Sequence, residues 1–515
     1  MIPISAEPST SSTSHPEVRA VAGRLSGHWD AGLAIFRGIP FAEPPVGALR
    51  FAAPRSVRSW DGVRPARSYG PFPPQASNFG MNARSPEGAG DDWLTVNVWS
   101  PAPDPQAELP VMVWIYGGGY MIGASGLPEN DGGRLARAGA VVVTFNYRLG
   151  FEGFAQIEGA PANRGLLDQV AALEWVRDNI RAFGGDPDRV TVFGESSGGG
   201  SVAALLAMPA AAGLFRRAIA QSVPGAFFSP ALATAIATAC ASELELRPTV
   251  ADLSTVDPAL LPLAADLLTA TMPEQPERWG QLAHRAMPFA PVIDGDVLPV
   301  TPWQALADGA GRHIDLIVGH TRDEFRLFTL IDGGIDVTPE QAATALRVFA
   351  PGPDGDHGYR EGFPSAGPNE LYELVHSDWL FRMPTIHLAQ AQIAGRGRAY
   401  VYELTWSSPE VGDTFGACHG LDVPLVFGNL SSGVAGMLIG SPTPEVEALS
   451  AHMRGAWTAF ATHGDPGWPA YETEQRLVQL FDVQPTITTY PEETSRRLWQ
   501  DHTFTALPLG RSPVG

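Results

Sequence analysis

The chain has 515 residues, of which 44% are hydrophobic and 17% charged, and its formal net charge is −21 with every basic side chain an arginine. That composition suits a globular fold with a large core. It excludes the basic stripe that phosphate neutralisation needs, so no nucleic-acid partner is expected, and no apolar run is long enough to predict a transmembrane helix.

Residues 1–19 carry neither a basic n-region nor an apolar h-region, so they do not read as a secretory signal. They are expected to be a disordered N-terminal tail ahead of a single domain over 20–515. From Val21 to Trp60 the punctuation by Gly38, Pro40 and Pro44-Pro45 predicts short strands and turns rather than helices. Residues 70–92 form a long loop rich in Pro, Gly and Asn, and such loops are often functional. Strands are expected at Leu94–Trp99, Val111–Ile115 and Val141–Phe145, with a helix near Gly133–Ala138 and a long amphipathic helix over Leu166–Phe183. A strand at Val190–Phe193 follows. Residues 229–310 are alanine-rich and helical, interrupted by the extended stretch 290–299. Further buried strands are expected at Ile314–Gly319 and Ala399–Leu404, with helices and loops over 335–395. Strands alternating with helices predict an α/β fold with a mostly parallel central sheet flanked by helices and a helical insertion capping it. The two cysteines, Cys240 and Cys418, leave no disulfide framework and point to a reducing, cytoplasmic setting.

The chemistry gathers around 189–207, RVTVFGESSGGGSVAALLA. A short apolar strand runs into Gly194-Glu195-Ser196-Ser197-Gly198 and then into a small-residue helix. This fits G-x-S-x-G, the turn that lifts a serine hydroxyl out of the backbone so that a base can activate it. Ser196 is therefore the candidate nucleophile. The helix behind it offers free N–H groups and a positive dipole end.

A serine nucleophile needs an oxyanion hole, a base and an acid that orients the base. Tyr116-Gly117-Gly118-Gly119 follows a buried strand, where glycines let backbone N–H groups converge on one oxygen without a Cβ in the way. The N–H of Ser197 completes three candidate donors. For the acid, the strand ending at Gly319 is followed by Asp323 and Glu324. Either carboxylate would sit on the carboxyl-terminal edge of an open sheet, and the pattern does not separate them. For the base, seven histidines follow Glu324: His357, His376, His387, His419, His452, His463 and His502. Only His419 lies in a compact small-residue loop after a buried-type strand. The sequence has no HExxH, CxxC, EF-hand loop or P-loop, so no metal and no cofactor is expected.

Many segments in order resemble the type-B carboxylesterases, α/β-hydrolases that include cholinesterases and bacterial p-nitrobenzyl-type esterases. They include FRGIPFAEPPVGALRF (36–51), DDWLTVNVWSP (91–101), VMVWIYGGGY (111–120), NRGLLDQVAALEWVRDNIRAFGGDPDRVTVFGESSGG (163–199), TRDEFRLF (321–328) and GACHGLDVPLVFGN (416–429), and the likeness covers roughly 20–500. The resemblance implies an α/β-hydrolase fold with helical insertions over the active site. It implies Ser196 as nucleophile, Glu324 as acid, His419 as base, and the N–H groups of Gly118, Gly119 and Ser197 as oxyanion hole. Ser197 replaces the family's usual alanine, but the donor is backbone. Ser222 matches a family serine near the triad, and Glu195 and Asp422 are expected to help order the site. The family's first disulfide is missing, with Trp93 and Pro73 at its two positions. Residues 74–92 hold no tryptophan for binding choline, which disfavours a cholinesterase.

The resulting expectation is a serine carboxylesterase acting through an acyl-enzyme on short- to medium-chain or aromatic esters, as a monomer or weak homo-oligomer. The same triad also permits amide, carbonate, thioester or lactone bonds. A partner-binding relative without catalysis is the contrasting class, and the presence of all three triad residues argues against it.

Overall fold

The computed structural model describes residues 15–75, 90–285, 287–331, 333 and 336–510. Its main sheet holds eleven strands among the described residues: β1 (His28–Asp30), β2 (Leu33–Pro40), β3 (Thr95–Ser100), β4 (Leu109–Ile115), β5 (Val141–Phe145), β6 (Gly185–Glu195), β7 (Arg217–Gln221), β8 (Asp315–Thr321), β9 (Arg398–Leu404), β10 (Leu477–Phe481) and β11 (Thr486–Thr489). The spatial order is β11-β10-β9-β8-β7-β6-β4-β5-β3-β2-β1. All pairs from β10 across to β5 are parallel, and the two ends are closed by antiparallel strands. Strands such as β4, β5 and β8 are apolar and buried along nearly their whole length, because helices cover both faces.

Two helices matter most for the site: Arg164–Asn179 and Ser197–Ala207. The second follows β6 directly and is buried at nearly every position. Beyond β7 the chain forms helices Pro230–Ser242 and Leu260–Thr271, and beyond β8 it forms Pro339–Phe349, Gly355–Gly362 and Pro368–Ser377. These match the helical insertions expected from the sequence.

The register of the central strands brings their carboxyl ends level. Gln221 pairs with Glu195 on one side and Gly319 on the other. The residues that follow these ends therefore emerge side by side, in the crevice where open α/β sheets place their ligands.

The expected strands form with boundaries moved by a few residues, whereas β7, β10 and β11 are additions to the reading above. The disorder expected over 1–19 does not hold for its last residues. Residues 1–14 lie outside the described residues, but Glu17–Arg19 is a strand paired antiparallel with Arg24–Ser26, which also pairs with Val63–Pro65. Val18 is buried there, and that apolar contact holds the segment. Most of the loop expected over 70–92 lies outside the described residues.

One buried ion pair fixes the segment behind β5. The Arg148 guanidinium donates to both Asp168 oxygens at 2.8 and 2.7 Å, and its backbone N–H adds a third bond to the same carboxylate at 3.0 Å. The neighbouring Tyr147 stacks on Tyr116 and donates its hydroxyl to the Tyr116 carbonyl at 2.8 Å. Arg148→Met would leave the Asp168 carboxylate buried and uncompensated. Urea unfolding followed by tryptophan fluorescence is expected to show a loss of about 3–5 kcal/mol, and an unmoved midpoint would contradict this.

Candidate active site

Ser196 sits on the turn between β6 and helix Ser197–Ala207 with φ 58° and ψ −127°, a left-sided conformation that a residue with a Cβ rarely adopts. The surroundings impose it. The Ser196 N–H donates to the Gln221 carbonyl at 3.0 Å, and its own carbonyl accepts from the Gly200 N–H at 2.8 Å to start the helix. A Cβ on Gly198 would strike the Ile115 carbonyl, and one on Gly194 would strike the backbone of Gly198. Glycines two before and two after the serine thus permit a turn tight enough to push its side chain outward.

The loop after β4 packs against this turn. A Cβ on Gly117 would meet the Cβ of Ser196 and the carbonyl of Glu195. Gly118 and Gly119 take φ values of 108° and 63°, open to glycine and costly for other residues. The Gly118 carbonyl accepts from Met121 and Ile122, so the loop curls back on itself. The N–H groups of residues 197–200 include the unpaired donors of a helix first turn, and Ser197 is buried beside Ser196.

Glu324 is fully buried and satisfied by three donors. Its Oε1 accepts from the Ser222 hydroxyl at 2.6 Å and from the Thr321 N–H at 2.9 Å, while Oε2 lies 2.5 Å from His419 Nδ1. Asp323, its rival in sequence, turns the other way. It accepts from the Ala417 N–H at 2.8 Å, its own N–H donates to the Ala417 carbonyl, and it pairs with Arg322 and Arg326. Asp323 therefore clamps the loop that carries His419, and Glu324 meets the imidazole.

The other edge of the ring meets a second carboxylate. His419 Nε2 lies 3.1 Å from Glu195 Oε1. Asp422 stands next to them, held by the Gln221 amide at 2.8 Å and the Tyr402 hydroxyl at 2.6 Å. Burial favours neutral forms throughout. It lowers the His419 pKa, but the negative fields of Glu195 and Glu324 and the bond to Glu324 outweigh it, and the imidazole is raised to about 9. Burial raises Glu195 and Asp422 as well. It also pushes Glu324 upward, but the His419 charge and the bonds from His419 and Ser222 reverse that and hold its carboxyl below the usual range.

In the sequence, Phe79, Phe227, Phe228, Phe325, Phe328 and Leu330 suggest an apolar acyl or alcohol site, and the structure divides them. Phe325 and Phe328 lie beside the site, with Phe328 5.2 Å from the His419 ring. Phe227 instead packs on Trp303 in the core, and Phe228 is buried between Val292 and Leu507. Phe79 lies outside the described residues. Gln221, Tyr402, Thr321 and Phe381 went unread in the sequence. No local motif marks them, because each reaches the site only through strand register or helix packing.

Three comparisons bear on the chain. The family model described as the carboxylesterase family matches residues 14–348 and 365–499. A para-nitrobenzyl esterase of Bacillus subtilis (strain 168) is 39% identical, over 94% of this chain and 98% of the relative. A fumonisin B1 esterase of Sphingopyxis macrogoltabida is 35% identical, over 86% of this chain and 82% of the relative. The solved structure of a Geobacillus stearothermophilus carboxylesterase superposes with a TM-score of 0.82 at 35% identity, covering 94% of this chain and all of that one.

The carboxylate beside Nε2 is directly testable. Replacing Glu195 by Gln removes the largest of the fields that raise the imidazole. The His419 titration, followed by NMR, is expected to move to lower pH. A titration that stays in place would contradict the assignment of that field.

Proposed function

The chain belongs to the carboxylesterase family and is a carboxylic ester hydrolase, and we propose that it works through an acyl-enzyme on Ser196 with Glu324 and His419 completing the triad. The observation that supports this reading best is the unbroken line of short contacts from Ser222 through Glu324 to His419, 2.6 and 2.5 Å, built at the same strand ends from which the strained turn at Ser196 emerges.

His419 accepts the Ser196 proton as the serine oxygen attacks the ester carbonyl. Because Glu324 holds Nδ1 as an N–H donor, Nε2, which meets Glu195 at 3.1 Å, is the nitrogen that accepts it when the imidazole is neutral. The carbonyl oxygen becomes an oxyanion bound by the N–H groups of Gly118, Gly119 and Ser197, where each donor contributes on the order of 3 kcal/mol to the transition state. His419 then returns the proton to the departing alkoxide, and the alcohol leaves. Water enters, His419 takes its proton as the water oxygen attacks the acyl carbon, and the same proton passes to Ser196 Oγ as the acyl–oxygen bond breaks and the acid leaves. Ser222 keeps Glu324 ionised and aligned. Glu195 and Asp422 order the far side of the imidazole and add to the field that stabilises imidazolium.

The substrates we propose are short- to medium-chain or aromatic esters. Phe328 and Phe381 flank the imidazole. Such walls suit apolar acyl or alcohol groups. Cys240 and Cys418 are buried free thiols, in keeping with a cytoplasmic enzyme. Among the described residues no helix is long and apolar enough to cross a membrane.

Hydrolysis of p-nitrophenyl esters from acetyl to dodecanoyl, with wild type and Ser196→Ala side by side, tests the proposal. Turnover is expected to peak at short to medium chains and to fall by at least about four orders of magnitude in the variant. Turnover that survives in Ser196→Ala would overturn the assignment of the nucleophile.

A further inference from the structure

Helices Pro368–Ser377 and Met383–Ala394 are joined by a π-helical turn, Asp378–Arg382, in which the Met383 N–H reaches back to the Asp378 carbonyl. Such turns are rare and insert one extra residue, which swings the following side chains by about 100°. The sequence gives a reason for it. Pro384 has no N–H to donate to the Leu380 carbonyl four residues back. That carbonyl accepts from the Gly225 N–H at 2.8 Å instead.

The turn is locked by buried charge. Arg382 meets Asp378 at 2.9 Å and Glu492 at 2.9 Å, and it donates to the Ser495 hydroxyl and the Arg322 carbonyl. Asp378 accepts a further bond from the Tyr359 hydroxyl at 2.6 Å. The turn is also tied to the segment after Ser222, through Gly225 and through the Val223 N–H on Thr385 Oγ1 at 2.9 Å. A Cβ on Gly225 would strike Pro384, so the two segments are in close contact.

This arrangement lays Phe381 flat on the His419 ring, with centroids 4.2 Å apart and planes 28° apart. Phe328 touches the same imidazole and runs nearly parallel to Phe381, 13° apart. We infer that Phe381 is a positioning residue for the base and that the π-helical turn exists to hold it there. The inference rests on His419 being the base. The stacked ring fixes the imidazole plane in line with Glu324, keeps water off one face, and favours the imidazolium formed during the reaction, since the face of an aromatic ring attracts a cation. One element thus reaches both partners of the catalytic pair: the imidazole through Phe381, and the carboxylate through the segment that carries Ser222.

Glu324, Glu195 and Asp422 are the charged groups that face the imidazole, and Arg285 lies over Phe328 on the far side, 4.4 Å from the ring centre. None of these changes in Phe381→Leu, which isolates the ring. That variant is expected to lose roughly tenfold in kcat with KM little changed. Removing the face that favours imidazolium lowers the pKa of the base, so the acid limb of the kcat profile should move to lower pH. The downfield resonance of the His419 Nδ1 proton should shift with it. Phe381→Tyr keeps a stacked ring and should restore kcat and limb. A change in KM alone, with limb and resonance unmoved, would make Phe381 only a pocket wall and overturn the inference. His419→Ala, measured alongside, separates the two levels: activity that survives it overturns the assignment of the base itself.

Discussion

The site depends on one costly constraint, a fully buried carboxylate that must stay ionised. Glu324 has no access to water, and an unpaired charge in such a place is untenable. Three donors from three different parts of the chain satisfy it: the N–H of Thr321 at the end of its own strand, the hydroxyl of Ser222 past the end of the next strand, and the imidazole of His419 from a loop far along the sequence. None of these donors could arrive without the level strand ends of the parallel sheet. The fold and the ionisation state of one side chain are therefore a single problem with a single solution.

The same economy governs the backbone. The strained φ of Ser196 is held by the Gln221 carbonyl on one side and the start of a buried helix on the other, and it is possible only because Gly194 and Gly198 let neighbouring strands pass within contact. Gly117 lets the glycine loop rest on the same turn. At Pro384 the logic reverses, and a missing donor creates the irregularity. The freed Leu380 carbonyl is spent on Gly225, and the turn that results carries Phe381 to the imidazole. Local exceptions to regular structure thus cluster at the site and are compensated within a few ångströms of it.

How much of this was legible in the sequence follows from the range of each interaction. The turn at Ser196 and the glycine loop are local, their glycines lie within a few residues of what they serve, and both were read from the chain alone. Asp323 and Glu324 could not be separated by pattern, since adjacent carboxylates look alike until strand register turns one inward to Ser222 and the other toward Ala417. Only the family resemblance chose between them beforehand. Strand β7 was overlooked because RAIAQ is short and follows a helix-like run, and Glu17–Arg19 because a three-residue strand owes its existence to its partner. Phe381 was invisible for a further reason: its position depends on an extra residue in a helix, which apolar periodicity does not reveal.

The most direct test of the account is to trap the covalent intermediate. Wild-type enzyme mixed rapidly with p-nitrophenyl acetate should release a burst of p-nitrophenolate equal to the enzyme present, and acid quenching followed by peptide mass analysis should find the acetyl group on the peptide bearing Ser196. Ser196→Ala should give neither burst nor adduct. A full burst from that variant, or an adduct on another residue, would contradict the claim that Ser196, Glu324 and His419 form the reacting centre.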